Sequence, residues 1–198
     1  METTQRNGRA VKTILSLCDF TGTWPKPYKD AGYNVIQVDI KHGDDVRLLR
    51  VDTLPPIHGV LAAPPCTHFA GSGARWWKGK GTAALLDGLQ IVDACLRIIT
   101  AVHPKWWALE NPVGRLNHYL GKPAFYFDPC DYGDPYTKRT ALWGNFTPPM
   151  GLFIKRADWA VEATEGSKMH RLPPSPERQA LRSVTPGGFA QAFFTANP

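Results

Sequence analysis

Residues 13–40 read TILSLCDFTGTWPKPYKDAGYNVIQVDI, and this stretch decides the fold. Its first six residues form an apolar run of the length of a buried strand, and DFTGTW (19–24) supplies the turn that ends it. Pro25 or Pro27 then sits in the first turn of a short helix, where a missing N–H costs nothing, and Gly32 supplies the stop. NVIQVDI (34–40) is a second strand that ends near Asp39. Strand, loop, helix and strand in this order make a βαβ unit, the opening of a nucleotide-binding α/β fold.

The same grammar continues outward. GDDVRLL (43–49) falls where a third strand's end is expected, and IHGVLAAP (57–64) is a buried strand that delivers Cys66 just past two prolines. A glycine-rich loop, AGSGARWWKGKG, spans 70–81. Leu85, Leu89, Val92, Leu96 and Ile99 recur at helical spacing and predict a helix over 82–102, with Cys95 beside the stripe. KWWALENP (105–112) rises as another strand and stops at a proline. Alternating strands and helices, with chemistry at the strand ends, predict an α/β fold: a doubly wound, mostly parallel, Rossmann-like sheet. Residues 125–146 suit short strands and turns, 147–186 suggest irregular structure, and TPGGFAQAFFTA (185–196) a closing helix that starts after Gly187 and Gly188. Residues 1–12 read as a flexible terminus and 13–198 as one domain.

The 198 residues, 43% of them hydrophobic, suffice for one ordinary core. Lys and Arg number 23 against 17 Asp and Glu, a net charge of +6 that favours a polyanionic partner or an anionic cofactor. The four cysteines at 18, 66, 95 and 130 form no CxxC pair, which argues against a zinc cage or a disulfide framework, so no metal is expected and the thiols are read as reduced. The N-terminus lacks the apolar core of a signal peptide and no apolar run is long enough to span a bilayer, so a soluble, cytoplasmic protein without membrane contact is expected.

Five clusters carry candidate chemistry. Asp19, Phe20, Thr21, Gly22, Thr23 and Trp24 form a βα turn where backbone can approach a ligand, and Asp39 is placed to accept from ribose hydroxyls; the alternative is an ordinary turn with a solvated acid. Only one glycine of a GxGxxG fingerprint is present, which favours a ligand without a pyrophosphate. Asp45 either accepts from an adenine amine or caps a helix. Cys66 follows Pro64 and Pro65, which fix the backbone before it, and becomes a nucleophile only if a partner favours its thiolate. Glu110 and Asn111 are that candidate, since a carboxyl group at the end of an apolar strand is partly desolvated and its pKa raised. Lys138 and Arg139 form either an anion site or a solvated pair. Arg75, Trp76, Trp77, Lys78 and Lys80 interleave aromatic and basic side chains as a nucleic-acid contact loop does, although two adjacent tryptophans also suit one core and one rim residue.

Taken in order, LCDFTGTW, VDI, APPCTHF, LENP and TKRT resemble the motifs of the DNA cytosine-C5 methyltransferase family, and the run from 110 to 143 is similar to its compact phage DNA methylases. The resemblance implies S-adenosylmethionine as cofactor, held by residues 19–24, by Asp39 and Ile40, by Asp45 and Val46, and by Pro64. It implies DNA as substrate, Cys66 as the nucleophile at cytosine C6, Glu110 as the group at N3, Asn111 as the brace of the Cys66 loop, and Arg139 as the residue holding the base or its phosphate. The family's Glu-Asn-Val is Glu-Asn-Pro here, and the segment between TKRT and the tail is shorter than a target-recognition domain, so a protein partner supplying sequence specificity is a further expectation. Two other readings stay open: C5 modification of a free pyrimidine nucleotide or single strand, with native or altered adenosylmethionine, and a catalytically inactive DNA-binding homologue.

Overall fold

The computed structural model describes residues 10–151, 163–173, 175 and 177–198. Most of the terminus expected to be flexible, and residues 152–162 of the segment expected to be irregular, lie outside the described residues.

The opening unit folds as β1 (Thr13–Leu17), α1 (Lys26–Asp30) and β2 (Asn34–Val38). Then come β3 (Gly59–Ala62), α2 (Trp77–Val102), β4 (Trp106–Pro112), α3 (Asn117–Leu120), β5 (Phe125–Phe127) and β6 (Thr140–Asn145). Three short helices complete the chain: α4 (Lys168–Arg171), α5 (Arg178–Ser183) and α6 (Gly187–Ala196). The strands form one sheet in the order β2-β1-β3-β4-β6-β5. β1 to β4 are parallel, whereas β6 runs antiparallel to both β4 and β5, so the sheet is mixed.

Side-chain alternation splits β1 between two cores. Leu15 and Leu17 join Val92, Cys95, Ile98 and Ile99 of α2, while Ile14 faces Trp24, Tyr28, Phe189 and Phe193 on the side of α1 and α6. Both faces are covered, which is why the central strands read as continuous apolar runs.

Three expectations are corrected. Gly71–Trp76 is a run of 3-10 turns and α2 already begins at Trp77, interrupted at Gly81, whose φ of 72° only glycine adopts readily. No strand ends at 43–49; of the two readings open for Asp45 the cap is formed, at a 3-10 turn over Val46–Leu48, where its carboxylate accepts from the Arg47 amide. The last helix starts at Gly187, not after the glycine pair. Gly188 is inside it, because a Cβ there would lie 2.0 Å from the Tyr132 carbonyl oxygen. No helix among the described residues is long and apolar enough to cross a membrane.

Candidate active site

β3 and β4 are neighbours, with Ala62 in register with Leu109, so their carboxyl ends deliver Cys66 and Glu110 to one edge of the sheet. The Cys66 loop is then fastened to the extension of β4. Asn111 Nδ2 donates to the Pro64 carbonyl at 2.8 Å, Gly71 N to Val113 O at 2.9 Å, Arg115 N to Phe69 O at 2.9 Å and Arg115 Nε to His68 O at 2.7 Å. The two backbones approach so closely at Gly114 that a Cβ there would sit 1.9 Å from Phe69 O. Asn111 is fully buried, which makes its bond to Pro64 costly to lose. Gly114 and Arg115 were not singled out in the sequence, although the NPVGR run (111–115) holds both.

Cys66 lines a cleft of about 140 Å³ with Ala70, Ser72, Pro112, Lys138 and Arg182, among others. Lys138 Nζ lies 4.0 Å from Glu110 Oε1, and their side chains are only 11% and 13% exposed. Burial pushes the Glu110 carboxyl above its ordinary range; Lys138 lowers it and the charge of Asp19 raises it. Burial also pushes the Cys66 thiol up, and Glu110 adds to this, while Lys138 and Arg182 pull the other way. At neutral pH the protonated thiol is therefore the favoured form. Lys138 is the cation beside Glu110. Arg139 also lines the cleft, but it pairs with Asp128 at 3.2 Å and stacks over Tyr126. Arg182, from α5, enters from a segment that sequence patterning left without a role.

The neighbouring edge, at the ends of β1 and β2, holds the residues expected to meet a cofactor. Asp19 Oδ1 accepts from Thr21 N at 3.1 Å, Thr21 Oγ1 at 2.8 Å and Gly22 N at 3.0 Å, which fixes the turn. Its Oδ2 is buried without a partner. Thr23 N donates to Thr21 Oγ1 at 3.3 Å. Gly22 has φ +64°, a backbone conformation that residues with a side chain rarely adopt, and packs on the amide end of Gln37. Asp39 is 8% exposed and accepts from Lys41 N at 2.8 Å. Phe20 and Ile40 are 42% and 67% exposed apolar side chains flanking these acids in sequence. Val46 is buried. Asp45 is engaged by Arg47, the Nη2 to Oδ2 distance being 2.6 Å. Trp24 departs from expectation: it is fully buried and packs edge-on against Phe193, because the turn folds it into the aromatic core.

The basic aromatic loop divides in the same way. Trp76 is 60% exposed beneath the Arg75 guanidinium, whereas Trp77 is half-buried under Arg115. Lys78 is exposed, and Lys80 donates to the Thr67 carbonyl at 2.9 Å, tying the start of α2 to the Cys66 loop. Among the described residues, no cluster of His, Cys, Asp and Glu has the arrangement of a metal site.

No protein-family model and no curated protein matches the chain. Among solved structures, a candidate DNA modification methyltransferase encoded within an E. coli prophage is 17% identical, with a TM-score of 0.48 over 67% of this chain and 46% of that one. A methyltransferase of Entamoeba histolytica is 14% identical, with a TM-score of 0.43 over 71% of this chain and 54% of that one. The chain thus matches about half the length of these two solved structures.

Proposed function

We propose that the chain is an S-adenosylmethionine-dependent methyltransferase acting on C5 of cytosine in DNA through a covalent bond between Cys66 and C6. The observation that carries this reading is a thiol and a lysine lining one cleft, with a nearly buried carboxyl group 4.0 Å from that lysine, thiol and carboxyl following from the ends of adjacent parallel strands.

The first edge suits the cofactor. The Asp19 Oδ2 is an acceptor without a donor among the described residues, Asp39 retains acceptor capacity for ribose hydroxyls, and the exposed faces of Phe20 and Ile40 suit a flat purine. Thr21, Gly22 and Pro64 would present backbone, and Asp45 with Val46 would border the base. Bound there, S-adenosylmethionine supplies an electrophilic methyl group.

The chain's own residues then prepare the pyrimidine. Addition of the Cys66 sulfur to C6, with the Glu110 carboxyl donating to N3, moves electron density onto C5. Once C5 has bonded the methyl carbon, loss of the C5 proton to water and departure of the thiolate from C6 restore the ring. Glu110 suits this task because burial raises its pKa, which shifts it toward the protonated form that donates. A protonated Glu110 also ceases to oppose the thiolate, leaving Lys138 and Arg182 to favour it. Asn111 holds Pro64 and so fixes the position of the sulfur. In duplex DNA the target leaves the stack before it reaches the cleft. Arg75, Trp76 and Lys78 are the surface on which the strand would rest, with Trp76 as the stacking platform.

The test is covalent trapping on DNA containing 5-fluorocytosine in the presence of methyl donor, where the missing C5 proton blocks release. A complex that survives denaturation in the wild type and is absent in Cys66→Ala supports the reading. Absence of the complex, with no labelled methyl group on DNA or on dCMP, leaves the inactive DNA-binding reading in its place. Label on dCMP but not on DNA moves the substrate to the free nucleotide.

A further inference from the structure

Three cations line the cleft beside Cys66, and two of them are matched by carboxylates: Lys138 by Glu110 at 4.0 Å and Arg139 by Asp128 at 3.2 Å. Arg182 has no carboxylate within ion-pair distance among the described residues. Its Nη2 donates instead to the Ser72 hydroxyl at 2.9 Å. A hydroxyl takes one hydrogen bond from a guanidinium but leaves its charge unmatched. The remaining N–H groups of that planar fork suit the oxygens of a phosphate, which they bind two at a time. Ser72 and Cys66 belong to the same loop, so the unmatched charge stands at the mouth of the cleft that holds the thiol.

We propose that Arg182 binds the phosphate group of the pyrimidine nucleotide whose base faces Cys66, which makes the α4–α5 segment part of the substrate site. This rests on the pyrimidine reading above and adds the anchor that reading lacks. Met169 and His170 of α4 line the same cleft, so α4 and α5 both contribute to it. The phosphate arises either from a nucleic-acid strand or from a free nucleotide; the chemistry of the contact is common to both.

The thiol reports on this site without any methyl transfer. Arg182 pulls the Cys66 titration down, so an anion neutralising Arg182 slows alkylation at fixed pH. Alkylation of Cys66 by iodoacetamide, followed on the Cys66 peptide by mass, is measured with inorganic phosphate, deoxycytidine, dCMP and a short single-stranded oligonucleotide. The expected result is slowing by phosphate, and protection by dCMP or the strand at about ten-fold lower concentration than by deoxycytidine. That gap closes in Arg182→Gln and largely survives in Arg182→Lys, which keeps the charge. Stronger protection by the strand than by dCMP assigns the phosphate to nucleic acid, and the reverse assigns it to a nucleotide; both support the site. Equal protection by deoxycytidine and dCMP in the wild type, or an undiminished gap in Arg182→Gln, overturns it. Phosphate-dependent protection without label transfer overturns the methyltransferase reading and leaves Arg182 standing. Label transfer whose KM is unaltered in Arg182→Gln does the opposite.

Discussion

The edge at β1 and β2 and the edge at β3 and β4 meet at the same end of the sheet, yet they are held together over very different distances along the chain. Asp19, Asp39 and Asp45 bond to groups two or three residues away, so each acid organises its own turn. The Cys66 cleft is assembled from afar: Asn111 and Pro64 are 47 residues apart, as are Arg115 and His68, and Arg182 and Ser72 are 110 apart. The first edge is a rigid local device. The second exists only when the tertiary structure does, and its titrating groups set each other's charge. Damage to the cleft should therefore spread through stability, thiol chemistry and rate together, whereas damage at the outer acids of the first edge, Asp39 and Asp45, should stay local; Asp19 alone of the three acts on Glu110.

The largest expected effect breaks the assembly itself. In Gly114→Val the new side chain meets Phe69 O and Gly71 N, both backbone, so the Cys66 loop must leave β4. A loss of about 3 kcal/mol in unfolding free energy is expected, with loss of the covalent complex. A denaturant titration showing less than about 1 kcal/mol would mean that the loop is not fastened there.

Next come the charges. Lys138→Met removes the cation that favours both the Glu110 carboxylate and the Cys66 thiolate, so both pKa values rise. Methyl transfer is expected to fall roughly a hundred-fold, and the alkylation profile of Cys66 to move to higher pH. In the wild type that profile already climbs only above the ordinary thiol value of 9.0, because burial and Glu110 both disfavour the anion. Glu110→Gln removes the smaller of those two causes, so the sign reverses: alkylation speeds up over the pH range in which the wild-type carboxyl is ionised, while methyl transfer is lost. An unmoved profile in both variants would separate the thiol electrically from its neighbours and dissolve the contrast between the two edges.

This contrast also explains what the sequence could and could not reveal. The unit from β1 to β2, the strands carrying Cys66 and Glu110, and α2 from residue 82 onward are written in local periodicity and punctuation, and they fold where expected. Two further features depend on pairing across the chain. Which of Lys138 and Arg139 faces Glu110 follows from the antiparallel register that sets Thr140 against Pro112 and Leu142 against Glu110. β6 is covered on both faces, so its sequence shows no polar alternation from which that register could be read. Arg182 lies on a six-residue helix in a proline-rich stretch, too short for an amphipathic pattern, and its place beside Ser72 is purely tertiary. Trp24 and Trp77 show the limit from the other side: adjacency to chemistry marks them as ligand contacts, whereas Trp24 is fully buried in the aromatic core and Trp77 is half-buried under Arg115, which fits the alternative of one core and one rim tryptophan for the pair at 76 and 77.

The smallest expected effect belongs to the acid edge and sharpens the contrast from its other side. Asp45→Asn removes the charge that pairs with Arg47 but keeps an oxygen able to accept from the Arg47 amide, so the turn at Val46–Leu48 should persist. The pair is at the surface, where matched charges contribute little, so the melting temperature should hardly move. Arg47 holds the Asp45 carboxyl below its usual range, so any difference from the wild type should appear above the ordinary carboxylate pKa of 3.8 and vanish as acid protonates the wild-type group. An Asn oxygen also accepts from an adenine amine, so methyl-donor affinity should change by less than about three-fold, measured by calorimetry at neutral pH. The Cys66 alkylation profile should be the same as in the wild type. Asp19 already reaches Glu110 electrostatically, so a shift of that profile in Asp45→Asn would mean that charge as far out as Asp45 joins Asp19 in acting on the cleft.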